Sequence, residues 1–168
     1  MIQDTINEEK VLVMDFNQMF SIARHSEYSE MLPAKSYSLD EKYSNLVVNV
    51  NLSLATLFNK IRNKASKSEL LDSYCMTMRD FFAIANFKEW TYIMLMSDED
   101  LNAIGQKWKS ESLAMVYLSI QQQINSCYFK RQPQSLVHAW HMFLKLGLID
   151  LDFDENQIES HFEKMFMK

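Results

Sequence analysis

Apolar residues along this chain recur mostly at three- and four-residue steps, the pattern of helices that each bury one face. The longest such stretch runs from Ser66 to Trp90, where Leu70, Leu71, Tyr74, Cys75, Met78, Phe81, Phe82 and Ala85 share a broad stripe. A helix apolar over so wide an arc belongs in the middle of a bundle. Its remaining arc carries Asp72, Met76, Arg79, Asp80, Ala83 and Asn86, and that is where a functional face would lie.

Helix starts are marked by capping pairs, because a Ser, Thr or Asp followed three residues on by an acid or Gln satisfies two orphan amides reciprocally. Thr5 with Glu8 predicts a first helix to about Arg24, with Val11, Leu12, Met14, Phe16, Met19, Phe20 and Ile22 inward. Ser38 with Glu41 predicts a second to Arg62. Residues 46–57 (LVVNVNLSLATL) alternate as a strand also would, but the length and the spacing of Leu54, Leu57, Phe58 and Ile61 favour helix. Ser66 with Glu69 opens the central helix, which closes on Phe87-Lys88-Glu89-Trp90. Ser97 with Asp100 opens a short one ending near Gly105.

From Ser110 to about Tyr128, Leu113, Val116, Tyr117, Ile120, Ile124 and Cys127 form an inward stripe. Pro133 suits the first position of the next helix, which buries Leu136, Val137, Trp140, Phe143 and Leu144 and is expected to stop at Gly147. Asp154 with Gln157 opens a terminal helix holding Ile158, Phe162 and Phe166. Were that helix to find no partner inside the subunit, Phe162, Met165 and Phe166 would form a patch fit for a second subunit. The sum is an all-α, single-domain bundle of six or seven helices over residues 1–168, without repeat or linker.

Composition sharpens this picture. Two Gly and two Pro in 168 residues disfavour strand-rich, turn-rich topologies. No apolar run approaches the ~20 residues a spanning helix needs, so no membrane span is expected. The formal charge of −5 gives no general field for a phosphate backbone, which disfavours nucleic acid as a partner. Cys75 and Cys127 both fall on apolar stripes, where free cysteines behave as small buried hydrophobes, and the start MIQDTINEEK carries no export signal. A reducing cytoplasm is the expected compartment.

Over about residues 54–147 the chain resembles the dimeric dUTPase family of all-α nucleotide pyrophosphohydrolases, related to the MazG-type enzymes. Three pieces carry the resemblance: Leu57-Phe58, Phe87-Lys88-Glu89-Trp90, and a later helix read either at Ser112–Tyr117 or at Leu136–Gly147. The resemblance implies a homodimer, and a Glu-x-x-Glu pair and a Glu-x-x-Asp pair converging on Mg²⁺, which would bridge a triphosphate and activate water. Here the first pair falls on Met76 and Arg79, or with a one-residue slip on Thr77 and Asp80. The second falls on Ser112 and Met115, or on Ser135 and His138. A thioether is a soft ligand and a guanidinium a cation, so these positions repel magnesium. Met76, Arg79, Asp80, Ser112, Met115 and Ser119 are left as a candidate polar face without a bound cofactor.

The expected function is therefore a degenerate, non-catalytic relative that binds a nucleotide or a protein. An active Mg²⁺-dependent pyrophosphohydrolase would have to recruit Glu69, Asp72, Asp80 and the run Asp98, Glu99, Asp100, and an unrelated helical interaction module is the third alternative. Glu69 and the acidic run are also explained as helix-start residues. His138 and His141 stand at i and i+3 as a further metal candidate, but they need a third ligand such as His161 or Asp150. No Gly-flanked Ser and no Gly-rich phosphate loop is present.

Overall fold

Six helices of the computed structural model, which describes residues 13–26 and 37–167, start where a side chain closes the first turn. Helix α1 (Phe16–His25) begins at Asp15, whose carboxylate accepts from the Gln18 amide at 2.9 Å. The Thr5–Glu8 pair, with Val11 and Leu12, lies outside the described residues. Residues 13–15 are not helical, so a single helix from Thr5 to Arg24 does not form. Asp15 takes over the capping role and restarts the chain.

Helix α2 (Leu39–Arg62) is capped by Ser38 and buries Tyr43, Leu46, Val47, Val50, Leu54, Leu57 and Phe58. This three-and-four spacing resolves the strand-like alternation of residues 46–57 in favour of helix. Helix α3 (Lys67–Lys88) has the expected capping box: the Ser66 amide donates to Glu69 Oε2 at 3.0 Å, and the Glu69 amide donates to Ser66 Oγ at 3.3 Å. It ends on Glu89 at φ 58°, with the Trp90 amide donating back to the Ala85 carbonyl at 2.8 Å.

Between Ser73 and Ala85 every residue of α3 is buried except Met76 and Arg79, so this helix runs through the core. It packs against α2 on one side and against α1 and the terminal helix on others.

A single-turn helix α4 (Thr91–Met94), which the sequence pattern does not predict, follows at once. Helix α5 (Asp98–Gly105) has the Ser97–Asp100 capping box. Helix α6 (Leu113–Phe129) starts from Ser112 and not Ser110, and α7 (Pro133–Lys145) has Pro133 in its first turn. Gly147 does not stop α7, for the chain continues through a π-helical turn over Leu146–Asp150. The terminal helix α8 (Glu155–Phe166) opens on the Asp154–Gln157 box. All regular structure among the described residues is helical.

The core is one cluster centred on Trp140, which is fully buried, with Phe81, Phe82, Phe143 and Phe16 within 5.2–6.0 Å between ring centroids. Each fully buried large apolar side chain contributes about 1.5–3 kcal/mol. Phe162 of α8 is buried against Phe82, so the terminal helix does find its partner inside the subunit and leaves no open Phe162 patch. Among the described residues, no helix is long and apolar enough to cross a membrane.

Candidate functional site

The polar arc of α3 is not an open face. Asp80 and Ala83 are buried, Asn86 and Arg79 are partly covered by the first and last helices, and Asp72 and Met76 stay exposed. The Asn86 amide donates to the Phe20 carbonyl at 3.2 Å and accepts from Arg24 at 3.3 Å, while the Arg79 guanidinium lies over the Phe166 ring at 5.1 Å. Asp72 meets His161 at 2.5 Å. Apolar periodicity marks such an arc as polar without revealing that α1 and α8 pack over part of it.

The other half of the proposed face sits elsewhere. Ser112 caps α6, accepting from the Met115 amide at 3.2 Å, and Met115 is 60% exposed. Helix α6, which also carries Ser119, packs on α7 and α2, whereas α3 packs chiefly on α2, α1 and α8. Met76, Arg79 and Asp80 thus belong to one part of the bundle, and Ser112, Met115 and Ser119 to another.

The acids considered as metal ligands stand in separate local settings. Glu69 holds the α3 cap, and the two Ser66 hydrogen bonds keep its carboxyl below the usual range. Asp80 is beside Arg79 at 3.5 Å; burial raises its pKa, and the Ser53 hydroxyl and Arg79 pull the other way. Asp98, Glu99 and Asp100 occupy the first turn of α5, where the helix dipole favours anions. His138 is exposed and His141 half-buried, with burial lowering the His141 pKa against the opposing pull of Asp100. Their suggested third ligands are occupied, His161 by Asp72 and Asp150 by Ser110. Among the described residues no three His, Cys, Asp or Glu side chains gather as a metal site.

One polar cluster is absent from the sequence pattern altogether. The Ser110 amide and hydroxyl donate to the two oxygens of Asp150 at 2.7 and 2.9 Å, and Lys145 Nζ donates to Ser110 Oγ at 2.5 Å. A Ser beside a Lys invites a nucleophile reading. The hydroxyl proton is directed at Asp150, however, and not at the amine, so the amine does not activate the oxygen. The cluster is a clasp that ties the α5–α6 loop to the π turn, reinforced by Lys109 on Asp152 at 2.7 Å.

A hollow lined by rings and cations lies where the start of α2 meets the ends of α3 and α6. A cavity of about 420 Å³ opens there, within the ~300–1,000 Å³ of small-molecule sites. Tyr43 forms its floor, buried, edge-on to Trp90 at 6.3 Å and against Tyr128 at 5.1 Å, with its hydroxyl 3.5 Å from Cys127 Sγ. Burial pushes the Tyr43 phenol far above its ordinary pKa and so keeps it neutral.

Lys88 Nζ stands over the rings of Tyr43 and Trp90, at 4.7 and 5.2 Å from their centroids. Phe129, 78% exposed, and Arg131, whose backbone is left-handed at φ 52°, complete one wall, and Asp40 sits on the rim. On the other side of Lys88 a second hollow is bounded by Asp40 and Glu89. The Phe87-Lys88-Glu89-Trp90 segment was legible as a helix end, but its partners come from residues 40–43 and 128–131 and share no periodicity with it.

No protein-family model, no curated protein and no solved structure matches this chain.

Proposed function

We propose that this chain is a non-catalytic relative of the dimeric dUTPase-like pyrophosphohydrolases, a homodimer that acts by binding a nucleotide or a protein. The observation that carries the reading is the engagement of the carboxylates on the central helix: Glu69 in its cap, Asp72 with His161, Asp80 with Arg79. Magnesium requires oxygens about 2.1 Å from one centre, and side chains held in three separate contacts do not offer it. Incubation with dUTP and the common nucleoside triphosphates, with Mg²⁺ or Mn²⁺, tests this. No turnover is expected, and hydrolysis at ordinary enzyme rates of roughly 1 s⁻¹ or more would overturn the proposal.

The homodimer is assigned to the outer faces of α2 and α6. Residues 43–59 and 113–129 contain no charged side chain, in a chain that is 23% charged. These stretches leave Val48, Leu52, Met115 and Leu118 exposed, Leu52 by 62%. The start of α2 meets the end of α6 and its end meets the start of α6, so the two lie antiparallel, flanking an apolar groove.

A surface without charge can meet its own image without like-charge opposition, which suits a second copy better than a charged partner. Two adjacent helices about 25 Å long, at 1.5 Å per residue, provide the order of area that a standard interface of ~800 Å² per partner needs. Light scattering on the full chain is expected to give the dimer mass, and Leu52→Lys with Leu118→Lys the monomer mass. A monomer in the unaltered protein would overturn the assignment.

A further inference from the structure

We propose that the cavity between Tyr43, Trp90 and Arg131 is a binding site for a planar aromatic body that carries a phosphate-type anion. The proposal deepens the reading of this bundle as a binding protein and rests on it. Two independent features of the cavity select that chemistry. The walls supply ring faces and edges from Trp90, Tyr128 and the largely exposed Phe129, surfaces on which a flat ring stacks. The same cavity holds two cations, Lys88 and Arg131, and a single acid, Asp40.

Charge decides which ligand and which hollow. Two cations against one acid favour an anion in the Arg131 hollow, while the neighbouring hollow sets Lys88 against Asp40 and Glu89 and does not. A cationic ligand is disfavoured because Lys88 already stands over the rings of Tyr43 and Trp90. Neither Lys88 nor Arg131 forms an ion pair with an acid among the described residues. The cation–π contacts hold the Lys88 ammonium at the mouth, and Arg131 brings a planar fork that matches phosphate oxygens. An anion bound between them would leave its aromatic body on Trp90 and Tyr128.

The left-handed backbone at Arg131 makes the test clean. At φ 52° glycine is at least as comfortable as arginine, so Arg131→Gly removes the guanidinium without straining the fold. Lys88→Gln removes the ammonium and keeps a good helix former. Calorimetric titration of the full chain with AMP, phenyl phosphate and inorganic phosphate, without added metal, is the experiment. AMP or phenyl phosphate is expected to bind at least tenfold more tightly than inorganic phosphate, and each substitution to weaken it about tenfold with the melting temperature of Arg131→Gly unchanged or raised.

The proposal is overturned if neither aromatic phosphate binds at millimolar concentration, if inorganic phosphate binds equally well, or if both substitutions leave affinity unchanged. Failure here leaves the non-catalytic assignment standing with a protein as its partner. Metal-dependent turnover, measured separately, removes that assignment whatever the cavity binds.

Discussion

The ring of Tyr74 fills the space into which any side chain at residue 147 would project: a Cβ on Gly147 would lie 2.3 Å from Tyr74 Cζ and Oη. The ring has nowhere to retreat, being fully buried, stacked on Phe143 at 4.3 Å and donating its hydroxyl to the Phe143 carbonyl at 3.1 Å. Helix propensity alone would make Gly147→Ala favourable by about 1 kcal/mol, whereas overpacking of a filled core costs ~1–3 kcal/mol or more. The clash wins. Denaturant unfolding of Gly147→Ala is expected to show a net loss of at least about 1 kcal/mol, and the pair with Tyr74→Leu less than the sum of its singles. An Ala variant as stable as the parent would show that the close approach does not constrain this site.

Asp80 gives a pH dependence of defined sign. Its carboxyl is buried and its pKa raised by desolvation, so the folded state holds this proton more tightly than the unfolded chain. Stability from this group therefore falls as pH rises from the unfolded value, about 3.9, through the raised folded value. Asn at this position does not titrate. The stability of Asp80→Asn relative to the parent should improve as pH rises above about 4 and level off beyond the raised folded value, as measured by urea midpoints across that range. A difference that is flat, or that moves in favour of the parent as pH rises, would show that Arg79 and not burial governs the carboxyl.

The two thiols should be silent in the native state. Cys75 is fully enclosed, with its pKa pushed up to about 12 by burial and by the charge of Asp72, and burial raises that of Cys127 too. At pH 8 a thiol of pKa 12 is ~10⁻⁴ ionised, against about a quarter of an ordinary cysteine near 8.5, and the thiolate is the reactive form. Labelling of Cys75 by iodoacetamide is expected to be at least ~10³-fold slower than in denaturant. Rapid native labelling followed by mass spectrometry would show that the α3–α8 contact, where Cys75 Sγ meets the Ile158 carbonyl at 3.8 Å, opens readily.

Capping pairs were legible because both partners lie three residues apart, and Ser66–Glu69, Ser97–Asp100 and Asp154–Gln157 all close as boxes. The same rule held the missed start of α1, since Asp15 and Gln18 also form such a pair and the Thr5–Glu8 signal masked it. Ser110 failed as a helix start because Asp150, forty residues on, captures its amide and hydroxyl. Gly147 read as a stop because a glycine's need for room is indistinguishable in sequence from its tolerance of a turn. The polar arc of α3 and the Tyr43 cavity were illegible for one reason: which helices cover an arc or converge on a hollow is decided by packing between segments remote in sequence.

The Ser110–Asp150–Lys145 clasp makes a further prediction, because it is the tertiary anchor of the loop between α5 and α6. The Asp150 side chain is 2% exposed, accepts both Ser110 bonds and lies 3.6 Å from the Lys145 ammonium, itself only 19% exposed. Asp150→Ala would leave a part-buried amide and ammonium without their acceptor, at a cost of ~1–3 kcal/mol for the amide alone and up to 3–5 for a broken buried ion pair. Asp150→Asn retains an oxygen for the Ser110 amide and should cost less.

The loss should be local as well as global, since residues 106–112 have few other anchors: Lys109 to Asp152, both exposed, is worth little, and Trp108 is 91% exposed. Hydrogen exchange at the amides of residues 106–112 is therefore expected to accelerate in Asp150→Ala more than at α3. Uniform acceleration across the chain would mean that the clasp supports the whole bundle, and no acceleration would mean that the loop holds its shape without it.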